Sequence, residues 1–325
     1  MEGKAVAAKG GVLAWSMKKK ILVFGSATIV ALGLGLGLGL GLGLKHHDND
    51  GDGDADQNDT GSSSSGGNHN RSSSDANSTV KWQPAVGVKW QIELLNPLNN
   101  TSVDAPIYDI DLFDNPKSTI SELQSLGRKV ICYFSAGTYE DWRDDADEFK
   151  KSDLGSNLGE WPGEKWVNTN STTVRKVMKE RLDLAVTKGC DGVDPDNIDA
   201  YDNKNGLGLT EDDAIDYVNW LASEAHDRGL SVGLKNGGDI IDSVIDNMQW
   251  SVNEQCAQEE ECDTYSAFIE AKKPVFHIEY PKGDDTNNNK DVTTAQKKAA
   301  CNADGSDDFS TVIKNMDLNS WVQYC

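Results

Sequence analysis

The chain has 325 residues, six cysteines and a formal net charge of −22. So large an acidic excess excludes a nucleic-acid partner, because phosphate binding needs a basic footprint. With three of five histidines at His46, His47 and His69, and no HExxH or GxSxG pattern, neither a zinc hydrolase nor an α/β serine hydrolase has support.

In chain order, residues 1–20 form a short basic tail containing Lys4, Lys9, Lys18, Lys19 and Lys20. Ile21 to Leu44 then runs 24 residues without a charge, long enough for a transmembrane signal-anchor helix despite its Leu-Gly repeats. Positive charge before the span predicts a cytoplasmic N-terminus and everything after residue 45 outside, as in a single-pass type II protein of the cell membrane. A cleaved signal peptide is the alternative, disfavoured by the length of the run and the lack of a small-residue cleavage site. Residues 45–80, rich in Asp, Asn, Ser and Gly, read as a disordered acidic linker. Within it Asp48, Asp50, Asp52 and Gly53 imitate an EF-hand loop, but flanking helices are missing and the twelfth position is Asp59 rather than Glu. Sequons at Asn58, Asn70, Asn77, Asn99, Asn100 and Asn170 agree with a secretory route.

Residues 81–325 alternate short apolar runs with helical patterns, which predicts an α/β domain of the (β/α)8 TIM-barrel class. The expected strands are Val88 to Leu94, Pro106 to Phe113, Lys129 to Ser135, Asp191 to Asp194, Leu230 to Lys235, Gln249 to Asn253, Pro274 to Glu279 and Ser310 to Lys314. Thr210 is expected to cap a helix over 211–228 that stops at Gly229, and Val174, Val177, Met178, Leu182 and Ala185 mark another before Gly189. Cys256 with Cys262, and Cys301 with Cys325, are expected to pair; Cys132 and Cys190, in apolar runs, are expected as buried thiols. A monomer is expected.

Six of these strands end in polar residues, and in a barrel such ends meet on the catalytic face. Glycosidic cleavage needs two carboxyl groups across the scissile bond, and Asp196 and Glu254 are the candidates, with Asp194 as rival to Asp196. From spacing alone, Asp194, Asp196 and Asp199 could instead order a turn, and Glu254 could merely precede the Cys256 clip. No cofactor is expected; magnesium held by the Asp-rich 191–199 is the one metal alternative. Trp82, Trp90, Tyr133, Tyr139, Trp142, Trp161, Trp166, Tyr201 and Tyr280 could stack on sugar faces, about a third of them being expected to do so. Ser135, Asn197 and Asn253 join the candidates as strand-end polar groups.

Five blocks in order make the sequence resemble glycoside hydrolase family 114, the endo-α-1,4-polygalactosaminidases. They are Tyr-Asp-Ile-Asp-Leu-Phe-Asp (108–114), the run from Gly127 to Arg143, Gly-Val-Asp-Pro-Asp-Asn (192–197), Gly-Leu-Ser-Val-Gly-Leu-Lys-Asn (229–236) and Val-Asn-Glu-Gln-Cys (252–256). The resemblance implies a barrel hydrolase cutting inside cationic galactosamine polymers, including partly de-N-acetylated galactosaminogalactan. It implies Asp196 as nucleophile of a retaining mechanism and Glu254 as acid/base; the family motif often has Glu where Asp194 stands. Asp109, Asp111, Asp194 and Glu279 would then pair with substrate ammonium groups, while Lys235 and Asn236 orient the catalytic Asp or hold sugar hydroxyls. The alternatives are a barrel α-galactosidase-like hydrolase of neutral sugars and an inactive cell-surface glycan-binding protein.

Overall fold

Strands form where β-branched and aromatic residues cluster, and helices where apolar residues recur every three or four positions. In this computed structural model residues 81–159 and 161–325 are described. The basic tail, the expected span at 21–44, the linker and the sequons at Asn58, Asn70 and Asn77 lie outside the described residues. Among the described residues no helix is long and apolar enough to cross a membrane.

The elements in chain order are β1 (Trp90–Glu93), β2 (Ile107–Asp111), α1 (Lys117–Ser125), β3 (Lys129–Ser135), β4 (Thr138–Glu140), β5 (Leu154–Asn157) and β6 (Glu164–Val167). There follow α2 (Thr172–Lys188), β7 (Gly192–Asp196), α3 (Glu211–Asp227), β8 (Ser231–Lys235), α4 (Ile241–Val244) and β9 (Trp250–Glu254). Last come α5 (Cys256–Glu259), α6 (Ser266–Glu270), β10 (Val275–Glu279), α7 (Thr294–Cys301), β11 (Ser310–Ile313) and β12 (Gln323–Tyr324). The eight expected strands are β1, β2, β3 and β7 to β11, which lie side by side in that order and parallel; β12 adds antiparallel to β11.

This is a curled, TIM-like α/β sheet that departs from the expected eightfold pattern in three ways. It is mixed, because β12 runs against β11. No backbone ladder joins β1 to β11; instead Trp90 Nε1 donates to the Ser310 carbonyl at 2.7 Å and the Leu94 amide to the Leu318 carbonyl at 3.0 Å. The connection from β1 to β2 has no helix, since Pro97, Pro106 and the polar run between them disfavour one, and α4, α5 and α6 span only four or five residues. The insertion after β3 builds a separate antiparallel sheet from β4, β6 and β5.

The two long helices follow the expected signals. Thr210 and Asp213 form a capping box at the start of α3, and Gly189 ends α2 in the left-handed conformation. Val174, Val177, Met178, Leu182 and Ala185 are all buried against the outer face of the sheet.

Strand periodicity sorts the side chains into two layers. Ile107, Ile131, Trp250, Val252, Phe276, Ile278 and Val312 pack inside the curl, whereas Cys132, Val193, Val232 and Val275 belong to the helix-covered outer core. Room for Trp250 comes from β8: a Cβ on Gly233 would stand 2.0 Å from the indole nitrogen. Residues sharing the parity of Ile107, Ile131, Gly192, Gly233 and Val252 therefore face inward. At the strand ends these are Asp109 and Asp111, Tyr133 and Ser135, Asp194 and Asp196, Lys235, and Glu254.

Cys256–Cys262 and Cys301–Cys325 are disulfides as expected. Cys132 and Cys190 are also bonded, which corrects the expectation of free thiols. Both lie in apolar surroundings, as read, but β3 and β7 are ladder neighbours, and that pairing brings residues 58 apart in sequence to a Cα separation of 6.0 Å. Closing a loop of that length restricts the unfolded chain, so replacing both by Ala is expected to remove about 4 kcal/mol of stability. Urea unfolding of the double variant measures this, and a loss under about 1 kcal/mol would contradict the account.

Candidate active site

All eight parallel strands deliver side chains to one cleft of about 430 Å³ at their C-terminal ends. Leu94 and Leu95 follow β1, Asp111 ends β2, Tyr133 lies on β3, and Asp196, Lys235 and Glu254 end β7, β8 and β9. Tyr280 follows β10, and Met316, Asp317 and Leu318 follow β11. Trp161 and Glu164 from the insertion line the same space.

The backbone turns away at once after each of the three central strand ends. Asn197, Asn236 and Gln255 all have left-handed φ, at 61°, 49° and 66°. Asn tolerates that region better than most residues, because its short side chain bonds locally. Here Asn197 Nδ2 donates to Thr138 Oγ1 at 2.9 Å, and Asn236 Oδ1 accepts from the Glu254 amide at 3.0 Å. Beside Asp196 the chain passes so closely that a Cβ on Gly137 would lie 1.6 Å from the Asn197 carbonyl oxygen. Its amide instead donates to the Asp196 carbonyl at 3.0 Å.

One ammonium organises the charges. Lys235 Nζ lies 3.4 Å from Asp196 Oδ1, 3.3 Å from Glu254 Oε2 and 3.9 Å from Asp194 Oδ2. Burial works against its charge, but the surrounding carboxyls, Asp196 and Glu254 foremost, outweigh that and hold it well above the usual lysine range. The Tyr133 hydroxyl donates to Asp196 Oδ2 at 2.7 Å, and the Tyr280 hydroxyl to Glu254 Oε1 at 2.5 Å. Burial, then the adjacent carboxylate, pushes both phenols well above their ordinary range, so both stay neutral donors. The Asp196 and Glu254 side chains keep 15% and 25% of their surface exposed, against 2% for Lys235 and none for Asp194. A substrate in the cleft can therefore reach the first two and not Asp194.

Not every expected residue meets the cleft. Trp90 is fully buried in the lower interior, its ring 4.9 Å from Phe276, and helps close the sheet instead of stacking on substrate. Asp109 and Asp194 lie inward but below the cleft, and the buried Ser135 offers its carbonyl to Arg181 Nη1. Asn253 and Glu279 have the wrong parity. Asn253 accepts from the Cys256 amide, and Glu279 Oε1 accepts from the Ala257 amide at 2.9 Å and contacts His277 Nε2 at 2.9 Å. Asp111 lines the cleft, but Arg143 Nη2 binds it at 2.7 Å and Nε binds Glu140 at 2.8 Å. The expected set of ammonium partners, Asp109, Asp111, Asp194 and Glu279, is thus corrected: all four are buried, and Asp111, which alone of them lines the cleft, is neutralised by Arg143. Of the nine aromatic candidates, Tyr133, Trp161 and Tyr280 line the cleft.

Several lining residues were not expected. Glu140 and Arg143 sit three apart just beyond β3, a spacing that suits an ion pair. Asp199, Asp284, Thr286 and Asp317 stand in loops whose return to the cleft only the fold reveals. Cys256, Cys262 and His277 also converge, but the two sulfurs are bonded to each other, so neither offers a thiolate to a metal.

Residues 71–325 match the glycoside-hydrolase family GH114. This chain belongs to that family. It is 69% identical to Aspergillus fumigatus Ega3, solved in complex with galactosamine, over 75% of this chain and 98% of that one, with a TM-score of 0.74. The glycoside hydrolase domain of PelA from Pseudomonas aeruginosa matches 73% of this chain and 98% of its own at 11% identity and a TM-score of 0.58, which shows a shared fold. A comparison with curated proteins finds no match. Asp196 and Glu254 face one space in the cleft, the arrangement that glycosidic cleavage by two carboxyl groups requires.

Burial, and then the charge of Asp196, pushes the Asp199 carboxyl of this GH114 site from 3.8 up to about 6. Between those values the folded protein holds a proton that the unfolded chain releases, so this group's contribution to stability falls as pH rises from 3.8 to about 6 and is flat above. The stability of Asp199→Asn relative to wild type is expected to increase over that window and then level off, as followed by urea unfolding at several pH values. A constant difference would contradict it.

Proposed function

We propose that this GH114 hydrolase cuts internal α-1,4 bonds of cationic galactosamine polymers of the galactosaminogalactan type, with retention, through Asp196 as nucleophile and Glu254 as acid/base. One observation carries the reading: the carboxyl groups of Asp196 and Glu254, both exposed in the cleft, touch the same ammonium. Contacts of 3.4 and 3.3 Å to Lys235 Nζ keep those two oxygens within about 7 Å of each other, too close for most of the inverting range and compatible with a covalent intermediate.

In this mechanism the Asp196 carboxylate attacks the anomeric carbon while Glu254 gives its proton to the departing glycosidic oxygen. The Glu254 carboxylate then takes a proton from the water that attacks the glycosyl ester, and Asp196 leaves as a carboxylate. Tyr133 and Lys235 fix the oxygens of Asp196, and Tyr280 with Asn236 fixes those of Glu254, whose Oε2 lies 3.4 Å from Asn236 Nδ2. The galactosamine bound to Ega3, at 69% identity, supports the sugar assignment. So does a net charge of −21 on residues 81–325, which would gather polycations.

The finer fold assignment, a (β/α)8 barrel, belongs to the same reading and is supported by eight parallel strands in sequential order with Trp90 bonded across the seam. So does tethering: Ile21 to Leu44 would anchor the enzyme in the cell membrane with residues 81–325 outside, where three disulfides persist.

Asp196→Asn and Glu254→Gln are each expected to lower turnover of de-N-acetylated galactosaminogalactan by about 10³-fold or more. Reducing ends measure the rate, and the first-formed products should carry the α-anomeric configuration. Activity of wild type should also fall as added salt shortens the Debye length from about 30 to about 8 Å. Near-normal turnover in both variants, or release of β-anomers, would overturn the assignment.

A further inference from the structure

Asp109 on β2 and Asp194 on β7 meet inside the curl, one layer below the catalytic carboxylates, and both are completely buried. Among the described residues no donor from elsewhere comes within hydrogen-bonding distance of any of their four oxygens. Their carboxyls face each other closely enough to act on one another's charge and to share a hydrogen bond. Two ionised carboxyls can only accept, so that bond needs a proton on one of them. The charged groups facing the pair are Lys235 on β8, Asp196 on β7 and Glu254 on β9. Lys235 Nζ approaches Asp194 to 3.9 Å, which favours the negative charge there and the proton on Asp109.

We propose that Asp109 and Asp194 hold one proton between them, and that the single negative charge of this pair positions the Lys235 ammonium against Asp196 and Glu254. Were both ionised, two charges below would compete with the two catalytic carboxylates for Lys235. Were both neutral, nothing would hold the ammonium from beneath. One charge at 3.9 Å, with contacts of 3.4 and 3.3 Å above, leaves Lys235 bound most closely to the reacting pair. The titration of the two groups agrees. Burial, then the charge of Asp194, raises Asp109 well above the carboxylate range; burial raises Asp194 to about 7 against the pull of Lys235. Asp109 and Asp194 are positioning residues, since neither lines the cleft.

The kinetic part of this inference rests on Asp196 and Glu254 being the reacting pair, but the proton itself can be observed without substrate. Infrared spectra of the full chain carrying Glu254→Gln, taken above the pH at which Asp199 titrates, should contain the carbonyl band of a buried carboxylic acid. Adding Asp109→Asn should delete that band. Absence of the band, or its persistence in the double variant, would overturn the shared proton whatever the enzyme's substrate. In the otherwise wild-type chain Asp109→Asn keeps a donor toward Asp194 and the same net charge, whereas Asp109→Ala leaves Asp194 with no donor. The Asn variant is expected to retain kcat at least about tenfold above the Ala variant, with the same KM in both. Equal kcat values, or a difference confined to KM, would overturn the positioning role.

Discussion

A buried ammonium surrounded by carboxyls is the constraint on which the rest of this site depends. Taking Lys235 out of water is costly by several kcal/mol, and only short contacts to opposite charge offset it. Those contacts come from two strands on either side of its own, so the charge balance and the sheet order specify each other. Parallel pairing of β7, β8 and β9 places Asp196, Lys235 and Glu254 at neighbouring ends. Moving any one of these strands by a single residue would turn its charged side chain to the outer face, where Val193, Val232 and Val275 pack in the apolar core.

The same geometry explains why the site is precise without being built on long helices. Each central strand ends in its cleft-facing charged residue and is followed by a left-handed Asn or Gln, so the carboxyl or ammonium is the last group held by the ladder. The backbone then bonds onward to neighbouring strands: the Asn236 amide to Val252 at 2.7 Å and the Gln255 amide to Ile278 at 2.8 Å. Such turns keep Asp196, Lys235 and Glu254 on rigid sheet while the loops beyond them are free to vary.

Much of this was legible in the sequence because it depends on local pattern. Eight apolar runs marked the parallel strands, Thr210 and Gly189 marked helix ends, and polar residues after the runs marked the catalytic face. What was lost was parity. Period-two counting from Trp250 and Val252 would have placed Glu254 inward and Asn253 outward, and counting from Phe276 and Ile278 would have kept Tyr280 and rejected Glu279. The Cys132–Cys190 bond and the cleft positions of Asp284 and Asp317 were not legible, since they arise from strand order and loop return over long separations. Trp90 was misread because aromatic rings fill a barrel's interior as readily as they line its mouth.

The corrected charge map changes how an acidic surface can serve a cationic substrate. Carboxyls at the bottom of the site are out of reach or already paired, Asp109 and Asp194 because they are completely buried and Asp111 because Arg143 binds it, so they offer little to a sugar ammonium. Asp199 and Asp284, by contrast, face the cleft with no cation paired to them among the described residues. A fixed lysine below and unpaired acids at the rim divide the labour. On the proposed function the rim would attract charged sugars in a screened, reversible way, while the floor keeps Asp196 and Glu254 in place regardless of which sugar arrives. A sugar ammonium reaching the bottom would compete with Lys235 for the same carboxyls and loosen their geometry.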